Sequence, residues 1–168
     1  QSWVGINPSR MVATESGVLV ACSGSKIGGE EWMEPALSLI TAPGESDPVF
    51  IGTSGASDLD ASPDGAWAVA TLADWGPPAE GSAMSIYQQA VPGSFPEARR
   101  WVYTGKLALV DFTALTDGTS PNISPTVTDI LPGEYLRAVA VSSDGTMIYA
   151  LAEQPERIVL IPLSDLMQ

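Results

Sequence analysis

The stretch AVAVSSDGTMIYALAEQPERIVLIPLSD, residues 138–165, decides the fold. An apolar alternating run (137–141) meets Ser-Ser-Asp-Gly, a second apolar run (146–152) follows, and after a short link comes a third (157–163). Period-2 alternation broken by a Ser/Asp/Gly cluster reads as antiparallel strands joined by a tight turn. Glycine at the last turn position supplies a positive φ, and the Asp or Ser ahead of it hydrogen-bonds back to the turn backbone.

The same order recurs upstream. LDASPDGAWAVATLAD, residues 59–74, has a strand, Ser-Pro-Asp-Gly and a strand, and Thr-Glu-Ser-Gly at 14–17 is a weaker third instance. The turn glycines stand at 17, 65 and 145. Each unit then has a third apolar strand, at 36–42, 106–112 and 157–163. The first two also have a fourth, at 47–53 and 125–131. The second interval exceeds the first, and its excess lies mainly in 75–105. Four short antiparallel strands repeating about every 50 residues are the pattern of β-propeller blades. A Greek-key sandwich also has many short strands, but aligned turns and aligned third strands favour the propeller.

On these residues the chain resembles the YVTN-type bacterial β-propellers, whose repeats run apolar strand, Ser-Pro-Asp-Gly, apolar strand, short turn, apolar strand. The Ser62–Gly65 turn is also similar to that of TolB-like propellers. The first unit departs, with Glu15-Ser16-Gly17 where Pro-Asp-Gly would stand. The resemblance implies an all-β, single propeller segment over 1–168, with blades at 8–53, 56–131 and 135–165. Residues 1–7 are expected to be a ring-closing or preceding-blade strand. A shared turn motif bears on fold and hardly on function. Propellers close with about 4–8 blades, so three imply completion by further blades of the same precursor or by a second copy. A lone three-bladed chain is expected to associate, because it leaves sheet edges and core open.

Composition narrows the function. The 168 residues carry 7 Lys and Arg against 20 Asp and Glu, a formal net charge of −13. Such a surface repels phosphate backbones, so nucleic acid is not an expected partner. There is no histidine, which removes the commonest general base and metal ligand. Cys22 is the only cysteine; within the apolar VLVACSGS it reads as a small buried side chain. No apolar run approaches the ~20 residues of a membrane helix. No signal peptide is visible, and a mature chain would have lost one. CSGSKIGG (22–29) lacks the spacing and strand-to-helix context of a phosphate loop.

Working residues are sought on loops carried by the rigid scaffold. The two long ones, 26–35 and 75–105, each join a second to a third strand and so leave the same face. Aromatics are only 7% of the chain, yet Trp32, Trp75, Tyr87, Phe95, Trp101 and Tyr103 fall in these loops. With Arg99 and Arg100, the adjacent basic pair, they form the candidate site. Such aromatic platforms suit glycans and protein hot spots; the alternative is a satellite core anchoring a long loop. Glu30, Glu31, Glu34 and Asp74 offer the hard oxygens calcium takes, but their spacing matches no dedicated loop. They are expected to be a solvated acidic rim, with no resident cofactor. No catalytic residue is assigned. The function expected is a secreted, periplasmic or cell-surface bacterial module binding a protein or glycan partner. The alternative is part of a lactonase-like or quinoprotein-like propeller enzyme working at the ring centre.

Overall fold

The computed structural model describes residues 4, 8–23, 34–52, 54–76, 100–113, 125–132, 134–153 and 156–167. Eleven strands account for most of them: β1 (Pro8–Thr14), β2 (Gly17–Cys22), β3 (Glu34–Ala42), β4 (Glu45–Gly52), β5 (Ser54–Ala61), β6 (Trp67–Gly76), β7 (Arg100–Asp111), β8 (Thr126–Asp129), β9 (Leu136–Val141), β10 (Met147–Glu153) and β11 (Glu156–Pro162). They form three antiparallel meanders, β1-β2-β3-β4, β5-β6-β7-β8 and β9-β10-β11, with every pairing between chain neighbours. The sheets stack face to face as three propeller blades. β1 lies against β5 and β5 against β9, so the first strand of each blade is innermost.

Two cores hold the stack together. Leu19, Leu37 and Leu39 of the first blade meet Leu59, Ala70, Leu72 and Val110 of the second. Val69, Leu107 and Leu109 of the second meet Val139, Ile148, Ala150 and Ile161 of the third. Strand alternation produces this directly, since neighbours along β6 such as Val69 and Ala70 point into opposite cores. Burying such side chains contributes roughly 1.5–3 kcal/mol each, and no blade buries both its faces alone.

The Ser-Asp-Gly turns are superimposable in chemistry. In each, the glycine N–H donates to the first serine carbonyl at 2.9 Å, and that serine N–H donates to the carbonyl five residues on, Trp67 or Met147, at 2.9 Å. Gly65 and Gly145 adopt φ of 74° and 70°, as expected from the sequence. The first turn differs: Thr14 pairs with Gly17 across a two-residue hairpin, and Thr14 Oγ1 donates to the Gly17 carbonyl at 3.1 Å.

Some expected boundaries move. β5 begins at Ser54, not near 56, and β3 takes in Glu34 and Pro35 from the expected loop 26–35. The expected loop 75–105 is strand at both ends, because β6 runs to Gly76 and β7 starts at Arg100. Trp-Val-Tyr-Thr at 101–104 is β-branched and aromatic, and suits a pleated strand. Cys22 is buried, as expected. Residues 1–3 and 5–7, and with them most of the expected closing strand, lie outside the described residues. Among the described residues no helix is long and apolar enough to cross a membrane.

Candidate binding face

Strands β6 and β7 build the face that carries the insertion. Their ladder runs from Trp67↔Asp111 to Leu72↔Lys106, shifts register, and continues as Asp74↔Val102, Trp75↔Trp101 and Gly76↔Arg100. The fourth strand stops short, for β8 pairs only with residues Lys106 to Leu109 of β7. Residues 100–105 therefore run on beyond the β7–β8 ladder. Gly105 marks the junction at φ 59°. Its carbonyl accepts the N–H groups of Ile130 and Leu131 at 2.9 and 3.1 Å. A Cβ there would overlap the Leu131 carbonyl, so only glycine lets the chain pass.

The register places Trp75 directly opposite Trp101, and Arg100 opposite Gly76, at the root of the insertion. Tyr103 lies on the same strand β7. Trp32, Tyr87, Phe95 and Arg99 lie outside the described residues, as do Glu30 and Glu31. Glu34 opens β3 opposite Gly52, and Asp74 pairs with Ser54 on β5. Among the described residues no group of three or more acidic or cysteine side chains is arranged to hold a metal ion.

The opposite face carries the turns. Asp64 Oδ1 accepts the Ser62 hydroxyl at 2.6 Å and the Ala66 N–H at 3.1 Å. Asp144 Oδ1 accepts the Ser142 hydroxyl at 2.6 Å, the Thr146 N–H at 3.0 Å and the Thr146 hydroxyl at 2.8 Å. These donors favour the charged form. The Ser62 hydroxyl foremost holds Asp64 below the usual carboxylate range, and the Ser142 hydroxyl, then the two Thr146 donors, bring Asp144 down to about 2. An open cleft of about 290 Å³ lies between the two turns, lined by Pro63, Asp64, Trp67 and Asp144 among others. Its carboxylates are already engaged in shaping their own turns.

Sequence reasoning missed the residues nearest the axis. On β5, Asp58 and Asp60 project towards the third blade, where Asp58 Oδ2 accepts the Val139 N–H at 3.0 Å and Asp60 Oδ2 the Val141 N–H at 2.8 Å. Asp58 Oδ1 also lies 3.6 Å from Arg10 Nε on β1, so one carboxylate touches all three blades. The signal was present: two aspartates at alternate positions of one strand, Asp58 and Asp60 either side of Leu59, put two charges on one face.

No family model matches the chain, and no curated protein matches it. Among solved structures it is similar to Kuenenia stuttgartiensis hydrazine synthase, at 13% identity and a TM-score of 0.54. The match covers 96% of this chain and 42% of that one. The chain thus spans less than half the length of its structural neighbour. At that identity the likeness bears on the fold alone, and it agrees with the three stacked meanders.

Proposed function

We propose that the chain is a propeller segment of the YVTN-type and TolB-like kind, secreted, periplasmic or at the cell surface, that binds a protein or glycan through its insertion face. Further blades, from the same precursor or a second copy, complete its ring. One observation carries the binding reading. The third blade joins β10 to β11 by a link of residues 154–155 alone, closing at Glu153↔Glu156, so blade geometry does not require the insertion that follows Gly76. A chain element that the third blade does without, rooted where the β6–β7 register sets Trp75 opposite Trp101, suits recognition. The catalytic alternative needs free polar groups near the axis, whereas the Asp58 and Asp60 carboxylates there already accept backbone N–H groups of the next blade.

The test is capture of the chain on an array of immobilised oligosaccharides and bacterial surface proteins. Binding to at least one, weakened about tenfold or more by W75A with W101A in a folded protein, is the expected result, as for aromatic hot spots. Absence of binding across the array, or binding indifferent to that pair, overturns the reading.

A further inference from the structure

The three turns between first and second strands follow one another on one face, but the gaps between them differ. Between the first and second, the Glu15 N–H donates to the Gly65 carbonyl at 3.0 Å and draws the two together. Counted along the first strands, Pro63 holds the place of Glu15 in the second blade, and proline has no N–H to repeat the tie. The second and third turns instead frame the cleft of about 290 Å³, with Asp64 and Trp67 from one blade and Ser143 and Asp144 from the next among its walls.

The walls suit an organic cation. Trp67 is half-buried and packs on the core between the second and third blades, so its indole is a fixed aromatic surface, of the kind that attracts a cation. Asp64 and Asp144 come from different blades and are both exposed. The bonds they accept from neighbouring residues all fall on Oδ1, so Oδ2 of each keeps its lone pairs for a donor. Those same bonds keep both carboxylates ionised at neutral pH. No Lys or Arg lines the cleft to neutralise them. Two carboxylates beside an indole do not supply the six to eight oxygens calcium takes. The space is far larger than an ion and close to the lower end of small-ligand pockets, about 300 Å³.

We propose that this cleft receives an arginine side chain of a partner protein, its guanidinium against Trp67 and its N–H groups donating to Asp64 and Asp144. A planar guanidinium both stacks on an aromatic face and meets carboxylates with paired donors, which a lysine ammonium does not. Free arginine would bring its own carboxylate against the two aspartates; within a polypeptide that charge is gone, so a chain is the better occupant. The formal charge of −13 steers a basic partner towards the surface, and the contact weakens as salt rises. The site lies on the face opposite the insertion and stands apart from the reading above.

Titration of the isotope-labelled whole chain with the blocked peptide acetyl-Gly-Arg-Gly-amide, followed by NMR, tests this. Saturable shifts are expected at the Gly65 and Gly145 N–H and at the Trp67 indole N–H. The same peptide with citrulline, which keeps the shape and loses the charge, should bind about tenfold more weakly or worse, as should the arginine peptide to D64N together with D144N. W67L is expected to weaken binding about two- to fivefold. Because the asparagine pair could loosen the turns, S143K supplies a second readout. Ser143 is exposed and makes none of the turn bonds above, so S143K should block the peptide with the melting temperature unchanged. Absence of saturable shifts, an equal response to the citrulline peptide, or binding that S143K leaves intact overturns the proposal. Free arginine binding as tightly as the blocked peptide overturns the assignment to a partner protein.

Discussion

At the scale of single residues, the two Ser-Asp-Gly turns are a matched pair whose differences are informative. Gly65 and Gly145 share a left-handed conformation that costs a side-chain-bearing residue about 1–2 kcal/mol. A Cβ on Gly145 would meet only Pro63 Cδ at 3.5 Å, whereas one on Gly65 would lie 2.8 Å from the Glu15 backbone nitrogen. That nitrogen donates to the Gly65 carbonyl at 3.0 Å, tying the first blade to the second. G65A is therefore expected to lower the melting temperature clearly more than G145A; equal effects would refute the close approach. Asp144 supplies a pH test. Its folded pKa of about 2 lies below the ordinary 3.8, so its contribution is complete above pH 3.8 and fades as pH falls towards 2. D144A should be less stable than the parent at neutral pH, with the gap closing across that acid window in thermal melts. A gap constant down to pH 2 would show that the carboxylate charge plays no part.

Strands and their connections make up the next scale, and here two elements do different work. The β5–β9 seam is clamped by two charge-assisted bonds at 3.0 and 2.8 Å, of a type contributing roughly 1.5–3 kcal/mol each. D60A is expected to loosen the third blade before the others, seen as faster hydrogen exchange at Val141 and its neighbours on β9. D60N, which keeps an acceptor oxygen, should be milder. Uniform exchange changes over all three sheets would contradict a local latch. The insertion behaves oppositely. Replacing residues 77–99 by a two-residue link is expected to leave the Gly76↔Arg100 register and both cores in place. The shorter loop itself is favoured by about 0.6 kcal/mol per halving of length. Thermal stability is expected to change little while array binding is lost; an unfolded product would make the insertion structural. The strands themselves were legible from alternation and turn chemistry. The ends of β6 and β7 were not, because Trp75 and 101–104 suit an aromatic binding loop and a β-ribbon equally well, and only cross-strand pairing separates the two.

For the whole molecule, charge and open surface set the behaviour. A formal charge of −13 on 168 residues makes self-repulsion a standing destabilising term. Raising ionic strength from 10 to 100 mM shortens the Debye length from about 30 to about 10 Å. The melting temperature should therefore rise with sodium chloride over that range, and a flat or falling profile would place the acidic groups in compensated pairs. Such pairs exist locally, as between Arg157 and Glu134 at 2.8 Å and between Arg137 and Glu153 at 3.2 Å, but seven basic residues cannot balance twenty acidic ones.

The sequence by itself determined the elements. Alternation marked which residues lie in strands, Ser-Asp-Gly marked where the chain turns, and the recurrence of both made three blades, since these are local consequences of side-chain period and backbone conformation. It also placed the insertion, which breaks the repeat. Tertiary structure alone decided what each face meets. Val69 and Tyr149 occupy one register position and are both hydrophobic, yet one is buried and the other partly exposed, because among the described residues a blade packs over the first and none over the second. Likewise Asp58 and Asp60 announce two charges on a strand, but their partners are backbone N–H groups some eighty residues away. Backbone donors have no signature in sequence, so the stacking of one sheet on the next had to bring them into reach.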